Sequence, residues 1–276
     1  MTQGQASGAL GIVVGGGPAP GINAVIAAAT IRTLLSGTRV IGIQNGFERL
    51  MAPDAVEAKA FRELEIQDVS RIHFRGGSML GTSRANPTKS DDMLDQVLEN
   101  LRAAGIDKLV TIGGDDTSFT CSRLAKRSEG TLSVAHVPKT IDNDLDLPAS
   151  IDTFGYQTAR AVGVEVVQNL MVDAKTTNRW YLVIAMGRKA GHLALGIGKA
   201  AGATLTVVPE ECDASGMSLD RLADILAGSI IKRRSEGRGD GVAVVAEGVA
   251  LAFDPAELEA LENLERDEHG HVRLAE

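Results

Sequence analysis

LVTIGGDDTSFTCSRLAKRSEGTLSVAHVPKTIDNDLD, residues 109–146, holds two apolar runs that each stop abruptly at a charged loop. The first, residues 109–112, ends at Gly113-Gly114-Asp115-Asp116-Thr117; the second, residues 132–137, ends at Pro138-Lys139-Thr140-Ile141-Asp142-Asn143-Asp144. Residues 117–127 between them read as a helix. Strand, helix and strand in that order give parallel strands joined by a crossover. Ligands of such sheets sit beyond the carboxyl ends of the strands. The two loops therefore carry carboxylates, a lysine and hydroxyls to one rim, a set suited to phosphate and a metal ion.

Working outward toward the N-terminus, residues 10–14 form a third apolar run, ending in Gly15-Gly16-Gly17-Pro18-Ala19-Pro20-Gly21. The following INAVIAAATIRTLL reads as a mostly buried helix. A glycine loop between strand and helix brings backbone N–H groups and the helix dipole to an anion, although such a loop by itself is equally a plain tight turn. The same rim then gains Gly16 and Gly17. Residues 39–44 read as a strand, 47–51 as a short amphipathic piece, and 55–74 are too mixed to assign. Residues 75–84, RGGSMLGTSR, make another glycine loop, whose Arg84 either clamps phosphate oxygens with its forked guanidinium or stands solvated. Ser90-Asp91-Asp92 caps and charges the start of a helix running to Ala104, with Met93, Leu94, Val97 and Leu101 on its apolar face, and Gly105 ends it.

On the C-terminal side the alternation restarts. Residues 153–173 read as a long helix, 180–185 as a strand ending at Met186-Gly187-Arg188-Lys189-Ala190-Gly191-His192, 203–208 as a strand, 218–233 as a helix, and 241–246 as a strand ending at Glu247-Gly248. This second series places a domain boundary near residue 150. The fold expected is α/β, two domains with mainly parallel sheets flanked by helices: 1–150, 151–253, and a segment 254–276 that starts as a charged helix with a turn at Gly270.

Composition narrows the function. The 276 residues carry a net charge of −8, which argues against binding nucleic acid by charge neutralisation. No apolar run is long enough for a membrane span, and the first ten residues lack the basic start and apolar core of a signal peptide. Cys121 and Cys212 have no metal-ligand spacing and read as buried or half-buried thiols of a reducing cytoplasm. The five histidines show no zinc motif.

GGGPAPGIN, GGSMLGTSR, GGDDT, PKTIDND, MGRKAG and VVPE, in this order and spacing, resemble the phosphofructokinases. The resemblance runs from about Gly11 to Glu247 and implies magnesium-dependent phosphoryl transfer to the 1-hydroxyl of fructose 6-phosphate, with the donor on the first domain and the sugar on the second. Members using ATP typically carry glycine at the positions of Asp116 and Lys139. The two charged residues here match the pyrophosphate-dependent branch, since an aspartate repels a nucleotide's α-phosphate and a lysine neutralises compact pyrophosphate.

By the same resemblance, Asp142 is the general base and Asp115 the magnesium ligand. Lys139 and Arg84 stabilise the transferring group, and Gly16, Gly17 and Gly114 complete the donor site. Thr140 and Ile141 join Asp142 at the sugar, where Met186, Gly187 and Arg188 line the site and Glu247 accepts hydroxyls. Arg179 matches an arginine inserted into a neighbouring subunit, so a homodimer or homotetramer is expected. Family members continue well past residue 276 with residues that grip the 6-phosphate, so the chain is expected to be C-terminally truncated. The leading expectation is thus a reversible pyrophosphate-driven enzyme of glycolysis or gluconeogenesis. An ATP-dependent phosphofructokinase and a truncated or regulatory non-catalytic subunit are the alternatives.

Overall fold

The computed structural model describes residues 8–148, 150–212, 217–253, 257, 264–266 and 272–274. By its internal contacts the chain divides into two compact units, residues 1–140 with 145–156 and residues 141–144 with 157–276.

The first unit is built on a six-stranded sheet. In chain order its strands are β1 (Ala9–Val14), β2 (Val40–Ile43), β3 (Phe61–Glu63), β4 (Ile106–Gly113), β5 (Ser133–Thr140) and β6 (Phe154–Gly155), and in space they run β3-β2-β1-β4-β5-β6. All neighbours are parallel except β2 and β3. Every residue of β1 is buried, as expected of a strand covered on both faces. The period-2 alternation divides it cleanly: Ile12 and Val14 pack with Ile22 and Ile26 of α1 (Ile22–Leu35), whereas Val13 packs with Leu94, Leu101 and Leu124 on the other face. The chain leaves β1 in one direction to reach β2 and returns to the other side for β4, so the order of strands reverses between β1 and β4.

A four-residue helix, α2 (Ile66–Val69), lies within the stretch whose sequence is too mixed to assign, as does β3. In α3 (Asp91–Ala103), the Ser90 hydroxyl accepts the Met93 N–H at 3.2 Å. Leu94, Val97, Leu98 and Leu101 make its buried stripe, but Met93 is 39% exposed. Met93 sits about 100° around the helix from Leu94, at the edge of the face.

Two boundaries near the decisive stretch differ from expectation. The helix α4 spans Asp115–Arg127 and so begins two residues early, with Asp115 and Asp116 in its first turn. Its cap is Gly114, which has no side chain to announce a helix start, and the helix dipole favours carboxylates there. The strand β5 continues through Pro138, Lys139 and Thr140, because Lys139 and Thr140 pair with Phe154 and Gly155 of β6.

In the second unit, α5 spans Tyr156–Thr177 with Tyr156 still in the first unit; it starts three residues later than expected because 154–155 are strand. The strands β7 (Trp180–Ala185), β8 (Leu205–Val207) and β9 (Gly241–Ala246) form a parallel sheet in the order β7-β9-β8, with β9 buried throughout. The helices α6 (His192–Ala201) and α7 (Leu219–Ser235) flank it. The expected charged helix near the C-terminus is contradicted at residues 264–266: Leu264–Arg266 (β10) pairs antiparallel with Val272–Leu274 (β11). The rest of that expectation, Gly270 included, lies outside the described residues. Among the described residues, no helix is long and apolar enough to cross a membrane.

Candidate active site

The carboxyl ends of β1, β4 and β5 are neighbours in the first unit's sheet, and the reversal of strand order lies between β1 and β4. A crevice for ligands is expected at that point. Gly15, just past the end of β1, and Gly113, which ends β4, both lie against Thr117 of α4: a Cβ on either would overlap the Thr117 side chain. Glycine at both places lets the first turn of α4 dock directly on the strand ends. Thr117 is buried as a result, and Asp115 and Asp116, just before it in the same first turn, are exposed. The first N–H groups of a 13-residue helix have no intrahelical acceptor and point the same way.

Lys139 is 5% exposed, and its ammonium donates to the Gly17 carbonyl at 2.5 Å. The ammonium lies 3.7 Å from the position a Gly16 Cβ would take. Gly16, Gly17 and Lys139 thus lie together. The Gly16 N–H donates to the Ser83 carbonyl at 2.9 Å, while the Thr82 hydroxyl donates to the Gly16 carbonyl at 2.6 Å. Gly16 therefore ties two glycine loops together and has no amide to offer an anion. Gly17 keeps open space over its α-carbon, as an approach by a phosphate requires. Arg84 follows Ser83 and is exposed.

The sequence reading gave Asn23 no role. It is 4% exposed on α1, its amide donates to the carbonyls of Arg75 and Gly76 at 3.1 and 3.3 Å, and its carbonyl accepts the Met79 N–H at 2.9 Å. These three bonds hold the 75–84 loop over the end of β1. The only signal in the sequence is an asparagine on the buried face of an otherwise apolar helix.

Further along, the PKTIDND motif is divided between the units. Thr140 ends β5 and its carbonyl accepts the Thr153 hydroxyl at 2.7 Å. Ile141, Asp142, Asn143 and Asp144 belong to the second unit. Asn143 there has a φ of 53°, and its carbonyl lies 2.9 Å from Nδ1 of His192 at the start of α6. The turn that carries Asp142 is thereby anchored to the loop that follows Arg188.

Met186, Gly187 and Arg188 leave the carboxyl end of β7, and Glu247 leaves that of its partner β9. Gly248 N–H donates to the Gly187 carbonyl at 3.1 Å, which holds the two exits together. Gly187 has a φ of +124°, and a Cβ there would lie 2.5 Å from the Ala190 carbonyl, so both backbone and space require glycine. Glu210 supports the same loop by accepting the Gly191 N–H at 2.7 Å. Arg179 stands apart: it precedes the amino end of β7, a strand length of about 20 Å from Met186.

Among the described residues, no group of three or more His, Cys, Asp or Glu side chains is placed to hold a metal by itself. Asp115 offers hard oxygens and fits an ion that keeps water and phosphate oxygens in its shell, the habit of Mg²⁺.

A family profile described as phosphofructokinase matches residues 9–273. The pyrophosphate–fructose 6-phosphate 1-phosphotransferase of Thermotoga maritima is 55% identical over 271 residues, covering 97% of this chain and 63% of the relative. The protein of the same name from Naegleria fowleri is 50% identical over 276 residues, covering 97% and 62%. The chain thus spans less than two thirds of these relatives' length. Among solved structures, Pichia pastoris phosphofructokinase in the T-state superposes with a TM-score of 0.75 at 27% identity, covering 88% of this chain and 26% of that one.

Proposed function

This chain belongs to the phosphofructokinase family, and from that premise we propose that it carries out pyrophosphate-dependent phosphorylation of fructose 6-phosphate. The observation that carries the choice of donor is Lys139, buried against the glycine loop with its ammonium on the Gly17 carbonyl. A compact anion held at Gly17 and the first turn of α4 meets that charge directly. Asp116, exposed in the same turn, repels the additional phosphate a nucleotide would place there. The identity to two relatives that bear this activity in their names supports the same donor.

In this reading residues 1–150 serve the donor and 151–253 the sugar. The sugar 1-hydroxyl oxygen attacks the terminal phosphorus of pyrophosphate, the bond to the bridging oxygen breaks, and orthophosphate leaves. Asp142 takes the hydroxyl proton. Lys139 and Arg84 balance the charge on the equatorial oxygens, and Gly17 and Gly114 leave room for them. Mg²⁺ held by Asp115 would shield pyrophosphate charge. Three residues of chain keep the Cα atoms of Lys139 and Asp142 within about 11 Å of each other, so charge balance and proton transfer are linked by the shortest of tethers. Thr140 and Ile141 border the sugar, Met186, Gly187 and Arg188 line it, and Glu247 accepts its hydroxyls. The place of Arg179 at the far end of β7 supports service to a second copy's site, in a homodimer or homotetramer.

The test is turnover of fructose 6-phosphate with pyrophosphate or ATP offered separately, for the wild type and for Asp116→Gly with Lys139→Gly. Turnover with pyrophosphate alone is expected, falling at least about 100-fold in the double variant. Turnover with ATP alone, or unchanged pyrophosphate kinetics in the double variant, would overturn the donor assignment.

A further inference from the structure

Behind the donor loops, three polar side chains of the first unit meet, two of them buried and His136 half-buried. Thr111 of β4 is fully buried, Cys121 of α4 is 5% exposed, and His136 of β5 is the residue paired across the sheet from Thr111. The Thr111 hydroxyl lies 2.7 Å from the Cys121 sulfur and 2.8 Å from Nδ1 of His136. Cys121 and His136 are 3.8 Å apart. A hydroxyl donates once and accepts twice, so Thr111 can serve both neighbours at once. Burying such a group is costly unless it is bonded, and valine would fill the same volume without that demand.

The three elements joined here are those that carry the donor residues. From Thr111, β4 runs two residues to Gly113; Cys121 lies on the helix whose first turn holds Asp115 and Asp116; and β5 runs three residues from His136 to Lys139. The Nε2 atom of His136 is buried and has no hydrogen-bond partner among the described residues. Burial holds the imidazole below its ordinary value and pushes the thiol up to about 11, so both neighbours of Thr111 stay neutral near pH 7.

We propose that Thr111 is a positioning residue for the donor site: its hydroxyl, bonded to Cys121 and His136, fixes the spacing between the acidic first turn of α4 and Lys139. This rests on the pyrophosphate reading above. Neither the hydroxyl nor its partners touch the donor, so the role is geometric, and a displacement of a few tenths of an ångström matters where charges must match.

The test compares Thr111→Val and Thr111→Ser with the wild type, measuring calorimetric binding of pyrophosphate with Mg²⁺, binding of fructose 6-phosphate, and thermal unfolding. Thr111→Val is expected to fold, to bind pyrophosphate about tenfold more weakly, and to bind the sugar phosphate unchanged, because the loss of both buried hydrogen bonds frees the donor elements to shift. Thr111→Ser is expected to restore pyrophosphate affinity. Unchanged pyrophosphate binding in a folded Thr111→Val would overturn the proposal, and so would parallel losses for both ligands or equal losses in the valine and serine variants. Should Thr111→Val fail to fold, Cys121→Ala takes its place, with the same weakening expected and unchanged binding again counting against the role. A wild type that binds no pyrophosphate would instead refute the functional reading itself, and this role with it.

Discussion

Gly187 shows how much the loop after β7 depends on a single backbone conformation. With φ at +124° and the Ala190 carbonyl 2.5 Å from where a Cβ would stand, alanine would meet both strain and overlap. Strain of this kind costs about 1–3 kcal/mol, and the loop relieves it by moving. Gly187 is also the acceptor for Gly248 N–H, so its movement loosens the join to Glu247. Gly187→Ala is therefore expected to weaken fructose 6-phosphate binding about tenfold or more while leaving pyrophosphate binding within about twofold. Calorimetric titration with each ligand separates the two. Equal losses would mean that the substitution acts through general instability.

At the scale of elements, β4, α4 and β5 share the trio of Thr111, Cys121 and His136, and one member of it is an imidazole. Burial lowers the affinity of His136 for a proton, whereas the unfolded chain keeps the ordinary value of 6.5. As pH falls through 6.5 the unfolded state takes up a proton that the folded state refuses, so folding stability is full above that value and declines below it. Urea unfolding between about pH 7.5 and about pH 5 should show this decline, and His136→Gln should flatten it. A wild-type profile no steeper than that of the variant would rule His136 out as its source. The trio also shows what sequence could and could not reveal. The strand–helix alternation, the glycine loops and the charged motifs were legible because each is local: period, punctuation and charge lie within ten residues. The two-residue β6, which carries Lys139 and Thr140 into the sheet, was not, since its pairing spans residues 139 to 154. The diversion of the Gly16 amide to Ser83, the hold of Asn23 on Met79 and the meeting of Thr111 with His136 are likewise long-range events, invisible to any local pattern.

At the scale of the molecule, the division of the chain falls inside its most informative motif. Lys139 and Thr140 belong to one unit and Asp142 to the other, so the proposed donor contact and the proposed base are held by separately packed units. A ligand that binds only the folded form raises stability by about 2.7 kcal/mol at a hundredfold excess over its Kd. For a chain of this size that corresponds to a rise of about 5 °C in melting temperature. Pyrophosphate with Mg²⁺ is expected to give this rise, each alone less than about half of it, and ATP with Mg²⁺ none, because shielding by the ion and the charge of Lys139 act together on a compact anion. The single tryptophan, Trp180, lies on β7 in the second unit and gives that unit its own signal. Melting followed by Trp180 fluorescence should therefore move with fructose 6-phosphate, while melting followed by circular dichroism of the whole chain should also move with pyrophosphate. An equal rise with ATP would remove the distinction that Asp116 and Lys139 are proposed to make. A fluorescence transition indifferent to fructose 6-phosphate would leave the second unit without its assigned ligand.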